Sequence, residues 1–183
     1  GKDDELDKAS PGRARITVHD PNAKYVIGNK SSDIVATYGG IYPGRPVQIK
    51  ATYTSTYTLF YGYLDDCQAE PEKKSRRALL VCIDGLDQLK RARISTGLLE
   101  NQYSCGTSGL VVLALDKAGW PTAKRTISSN QLDLYPLVFA ESISALEFLQ
   151  RLEQSEFGFL YIDGEGKVNW EDRHYRLQTA RCT

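Results

Sequence analysis

The hydrophobic pattern of this chain changes character at Asp84, and the change restricts the folds open to it. Before that point apolar residues alternate; after it stretches with spacings of three and four appear among short alternating ones. Strands first, then helices among short strands, is the order of an α+β protein. "RARITV" places Ala14, Ile16 and Val18 on one face of a half-buried strand, and the Asp20-Pro21-Asn22 turn ends it. Residues 26 to 42 read as an irregular loop, with "GNKSSD" and "YGG" as its signals. Two strands follow, 45–53 and 57–65, joined near Thr54 to Thr56, with Val47, Ile49, Ala51 and Tyr53 sharing a face. The charged loop "EPEKKSRR" leads into "ALLVCID", a buried strand that completes a meander.

Beyond Asp84 the spacing predicts helices. "DGLDQLKRAR" sets Leu86 and Leu89 three apart, with Asp84 as N-cap and Asp87 near the positive end of the helix dipole. "TSGLVVLALDKA" reads as a helix over 107–118 that stops at Gly119, although "VVLAL" alone fits a strand equally well. "KRTIS" and "LDLYPLVF" look like short strands. The strongest helix is "ESISALEFLQRLEQSE", with Ser142 as N-cap and Ala145, Phe148, Leu149 and Leu152 on its apolar face. Strands 157–162 and 167–172 close the pattern around "DGEG", with Val168 and Trp170 on one face.

The chain has 183 residues, with 23 basic and 23 acidic side chains, so no net charge marks it as a nucleic-acid or membrane-surface binder. No run of about 18 apolar residues is present to span a membrane. The charged N-terminus "GKDDELDKAS" is unlike a signal peptide and reads as a solvated tail over residues 1–12. The lack of any methionine, even at position 1, reads as a processed chain or an excised piece. Cys67, Cys82, Cys105 and Cys182 have no CxxC spacing and read as ordinary thiols.

The acids around "DGEG" invite a calcium reading, but an EF-hand loop starting at Asp163 would need an oxygen ligand at its fifth position and Glu at its twelfth. Lys167 and His174 stand there, so a hairpin turn is the better reading. The adjacent pairs Asp65/Asp66 and Glu171/Asp172 point to opposite faces of their strands and cannot serve as paired catalytic carboxylates by themselves. "SCGTSG" sets Cys105 and Ser108 before a helix, but only His19 and His174 are present as imidazole bases, and no triad or zinc cluster is spelled out. "YGGIYPGRP" lacks a phosphate-binding loop's ending and reads as a turn feeding a strand. Tyr53, Tyr57, Tyr61 and Tyr63 crowd one hairpin; the plain reading is a half-buried sheet face, the functional one a subunit contact.

Two stretches resemble bacteriophage tail-tip or baseplate-hub proteins. "GRARITVHDPNAKY" followed by "GGIYPGRPVQIKATYTSTYTLFYGYLDD" is similar to their opening barrel, and "AESISALEFLQRLEQSEFGFLYIDGEGKVNWEDR" resembles the helix and hairpin of hubs of the VgrG and late-control-D type. "CIDGLDQLKRARIST" and "LDKAGWP" fit the same pattern, so the similarity runs over roughly residues 12 to 176. It departs at "NAKY", where the family's turn usually ends Asn-x-x-Gly, and at Phe157, a place often acidic or small.

The resemblance implies an α+β fold: a small β-barrel-like domain over 13–84, then a helix-containing α+β domain over 85–176 with a closing helix and hairpin, and a C-terminal tail over 177–183. It implies a structural role in a phage or prophage virion tail, assembled in the bacterial cytoplasm, as a homo-trimer or hexamer joining the tail tube to a spike or fibre. No catalytic residue, cofactor, metal or nucleic acid is expected. Arg45 and the four hairpin tyrosines are the expected interface residues. Gly44 and Pro46 would start the barrel strand, and Phe148, Leu149, Leu152, Gly158 and Trp170 would fix helix and hairpin. The rival expectations are a module that binds a cell surface or carbohydrate through exposed Tyr and Trp, and a tail-associated cell-wall hydrolase.

Overall fold

A computed structural model describes residues 8–20, 22, 24–25, 35, 39–71, 76–94, 105–128, 133–134 and 142–175. Most of the loop expected over 26–42, most of "LDLYPLVF", and the tail over 177–183 lie outside the described residues. The fold is α+β, with a curled half-barrel sheet followed by a helical part. The chain divides into two compact units, one of Gly12–Asp84 and one of Gly1–Pro11 together with Gly85–Thr183.

The first unit is a four-stranded antiparallel sheet of β1 (Arg13–His19), β2 (Pro46–Thr52), β3 (Thr56–Pro71) and β4 (Arg76–Ile83), in the order β1-β4-β3-β2. Strand β3 runs for 16 residues, longer than the expected 57–65, and takes part of the charged "EPEKKSRR" stretch into the ladder. Its register shifts twice. Phe60 pairs with Ile49 but Thr58 with Lys50, which leaves Leu59 as an extra residue; Leu64 pairs with Cys82 but Asp66 with Val81, which leaves out Asp65. Bulges bend a strand and increase its twist, which is how so long a strand curls instead of lying flat. Because directly paired residues share a face, Val47, Ile49, Phe60, Leu64, Leu80, Cys82 and Ile16 form the concave apolar side.

Glycine and proline set the start of β2. Gly44 has φ +87, a conformation open to glycine, and its N–H donates to Leu64 O at 2.7 Å while Leu64 N–H donates to Arg45 O at 2.8 Å. Pro46 then opens the edge strand, where its missing N–H costs little. The unit is closed at its ends by Gly12 and Asp84: Asp84 N–H donates to Gly12 O at 3.0 Å, and Gly12 N–H to Asp84 Oδ2 at 2.7 Å.

The second unit holds helices α1 (Leu86–Arg91), α2 (Thr107–Lys117) and α3 (Ala145–Glu156). Its short strands are β5 (Arg93–Ile94), β6 (Cys105–Gly106), β7 (Arg125–Ile127), β8 (Asp133–Leu134), β9 (Ile143–Ser144), β10 (Phe159–Ile162) and β11 (Val168–Glu171). The β10–β11 hairpin takes β7 as a parallel third strand, while β5 pairs with β9 and β6 with β8. "VVLAL" is therefore helical, and α2 ends at Gly119 with φ +71. The core is built from Leu86 and Leu89 of α1, Leu110, Val111 and Leu115 of α2, Phe148, Leu149 and Leu152 of α3, and Leu160, Val168 and Trp170 of the hairpin.

Three local expectations are corrected. Asp84 is not the N-cap of α1: that position is Gly85, with no side-chain cap, and Asp84 Oδ2 accepts from Gly12 N–H instead. The N-cap of α3 is Ser144, not Ser142; Ser144 Oγ accepts from Glu147 N–H at 3.0 Å, since Ile143 and Ser144 are held extended as β9 against β5. The N-terminal segment is not solvated throughout residues 1–12, because Ala9 is buried in the core beside α3.

Candidate functional site

The roles of the acids in the closing hairpin separate a metal site from a turn. Asp163 Oδ1 accepts from Glu165 N–H and from Lys167 N–H, both at 2.9 Å, and its Oδ2 accepts from Asn169 Nδ2 at 3.1 Å. Asp163 thus folds the turn onto itself, with Gly166 at φ +78 supplying the left-handed step. Glu165 pairs with Lys167 at 2.8 Å, which raises the ammonium's pKa. Glu171 accepts the Tyr161 hydroxyl at 2.6 Å, and Asp172 Oδ1 accepts from His174 N–H and Tyr175 N–H at 2.8 and 2.7 Å. The hairpin reading holds.

The other catalytic candidates are dispersed. His19 is exposed at the end of β1, while His174 sits in the turn after β11 and accepts from Arg173 Nε at 3.1 Å. Asp65 is the unpaired bulge residue and not a regular strand position, and Asp66 accepts from Cys67 N–H and Gln68 Nε2 at 2.8 Å each. Ser108 lies in the first turn of α2; the Cys105 side chain is outside the described residues. Among the described residues no three His, Cys, Asp or Glu side chains group as metal ligands. Both tryptophans are buried, Trp170 against the Gly158 backbone and Trp120 donating its Nε1–H to Lys124 O at 2.9 Å. Neither offers a flat exposed ring on which a sugar could stack.

Among the described residues the β2–β3 hairpin groups three exposed large apolar side chains. Tyr53 in its turn is 94% exposed, Tyr57 58% and the bulge residue Leu59 64%. The turn is tied by Tyr53 N–H to Ser55 O at 3.1 Å and by a Thr52–Thr56 hydroxyl bond of 3.1 Å. The bulge divides the four tyrosines. Tyr57 pairs with Ala51 on the concave side, whereas Tyr61 and Tyr63 pair with Gln48 and Pro46 on the convex side and meet edge to face at 6.1 Å. Arg45 stands over the Tyr42 ring at 4.6 Å, a cation–π contact at the start of β2. Below them lies an open cavity of about 650 Å³, lined by Tyr25, Ile41, Arg45, Val47, Leu64 and Leu80.

Sequence reasoning named Arg45 and the tyrosines but missed Leu59 and Tyr42. One signal was available: residues 51–64 carry no charged side chain, in a chain that is 25% charged. Exposed edges of sheets are ordinarily guarded by charge. An uncharged arm rich in Tyr, Thr and Ser has the composition of protein-contact surfaces, where tyrosine offers large contact area at low entropy cost.

Comparison with known proteins gives the fold a counterpart. The 43 kDa tail protein of prophage MuSo2 from Shewanella oneidensis shares it with a TM-score of 0.55 at 13% identity, over 90% of this chain and 47% of that one. The fold is one that a prophage tail protein also adopts. A tail protein from Neisseria meningitidis MC58 is similar at a TM-score of 0.50 and 13% identity, over 62% of this chain and 34% of that one. The chain therefore spans about half the length of the first and a third of the second. No protein-family model matches the sequence, and no curated protein matches it by sequence.

Proposed function

We propose that this chain is a structural component of a phage or prophage tail, acting in the tail-tip or baseplate hub. It would work there in the manner of the VgrG and late-control-D type hubs, as a closed trimer or hexamer that joins the sixfold tube to a threefold spike or fibre. The observation that carries the reading is the fold shared with a prophage tail protein over 90% of the chain. Tail assembly needs recognition surfaces and rigid units and no chemical step. The described acids suit that: Asp20, Glu153, Asp163 and Asp172 each accept backbone N–H groups. The partner surface is the uncharged hairpin arm with Tyr53, Tyr57 and Leu59 at its end, and Arg45 with Tyr42 at its base. Desolvated aromatic and arginine side chains are what subunit contacts concentrate.

Light scattering across a wide range of protein concentration tests this. A trimer or hexamer is expected, and Tyr53→Ser with Tyr57→Ser should dissociate it while changing fold stability by under about 0.5 kcal/mol, because both rings are exposed in the single chain. A chain that stays monomeric at every concentration, and whose tyrosine fluorescence responds to cell-surface glycans, would replace assembly with surface binding.

A further inference from the structure

The segment Lys8–Pro11 is held to α3 by side chains that bond its backbone. Ala9 is 1% exposed, and both of its main-chain polar groups are taken by side chains one turn apart on α3. Gln150 Nε2 donates to Ala9 O at 2.6 Å, and Ala9 N–H donates to Glu153 Oε2 at 3.0 Å, across 141 and 144 residues of sequence. The second oxygen of Glu153 accepts from Leu160 N–H at 3.1 Å, so the buried carboxylate is fixed between the segment and β10. These bonds read the backbone, while the Ala9 methyl is seated in the core and Lys8 and Ser10 on either side are exposed.

Main-chain hydrogen bonds for affinity and one pocket for a single side chain is the logic of extended-peptide recognition. We propose that α3 carries a docking site for an extended peptide with one small apolar residue, and that Lys8–Pro11 is its intramolecular ligand, a strap that can leave while the rest of the unit stays folded. A segment held to its neighbours by a few bonds opens more readily than the packed core beneath it. When the strap leaves, Gln150 and Glu153 can make the same two hydrogen bonds to another extended backbone.

The Lys8–Ala9 bond is a trypsin site whose second residue is buried, which makes strap docking readable in the full chain. Cleavage there should be at least about 100-fold slower than in a free peptide of residues 1–12. Gln150→Ala should speed it roughly five- to tenfold, the effect of one lost hydrogen bond, with an unchanged circular dichroism spectrum. Cleavage as fast as in the peptide, or a rate indifferent to Gln150→Ala, would overturn the proposal. Ala9→Asp should vacate the site by placing a carboxylate against Glu153. The folded variant should then bind a fluorescent peptide of residues 1–12 that the unaltered chain ignores, and should ignore the same peptide carrying Asp at position 9. No binding by a folded Ala9→Asp chain overturns the peptide site; if that variant does not fold, the Gln150→Ala cleavage rate decides alone. Protection that rises with chain concentration would assign the strap to a second copy and overturn the intramolecular ligand.

Discussion

Among the described residues Phe157 is the one non-glycine side chain at positive φ, +52, where it ends α3 in the left-handed conformation. That conformation costs an L-residue roughly 1–2 kcal/mol, and the ring is 61% exposed, so it recovers little by burial. Phe157 is one of the two places where the sequence departs from the pattern it resembles. Phe157→Gly should raise stability by about 1 kcal/mol in a urea titration. Gly158→Ala should lower it by about 1–3 kcal/mol, since a Cβ there would meet Glu171 O at 2.9 Å. The thiols give a pH-dependent prediction. Burial raises the pKa of Cys82, and burial, then the Asp66 and Asp20 charges, raise that of Cys67. A raised thiol pKa means that the unfolded chain ionises first. The thiols' contribution is therefore complete below about pH 8.5 and is lost as pH rises through their folded values. The urea midpoint should fall between pH 7.5 and 9.5, and by less in Cys67→Ala.

At the scale of elements, apolar spacing carried most of what the sequence could say. The three-and-four spacing of Phe148, Leu149 and Leu152 marked α3, and all three are buried. The cap of the same helix was misplaced by two residues, because both Ser142 and Ser144 satisfy the local rule and the choice falls to β5, whose partner strand is distant in sequence. Ser144→Ala should therefore cost about 1 kcal/mol and Ser142→Ala close to nothing, measured by thermal unfolding. The bulges at Leu59 and Asp65 were illegible for a related reason. Register belongs to a pair of strands, and a single strand's letters do not show where its partner skips a residue. That skip is what puts Tyr57 on one side of the hairpin and Tyr61 and Tyr63 on the other, so the crowding of four tyrosines was visible and its division was not.

At the scale of the whole chain, the strands-then-helices order and the change of character at Asp84 were legible, since they follow from hydrophobic period alone. The capture of Ala9 was not. Nothing in "KDDELDKAS" distinguishes a docked alanine from a solvated one, and its partners Gln150 and Glu153 stand about 140 residues away. The unit that follows Gly85 is therefore assembled from both sides of the sheet-forming stretch. Because Gly12 and Asp84 grip each other through two hydrogen bonds, the polypeptide leaves that unit and returns to it through a single doorway. In chain order the curled sheet is thus an insertion whose two ends meet, so its length can change between Gly12 and Asp84 while those ends stay side by side.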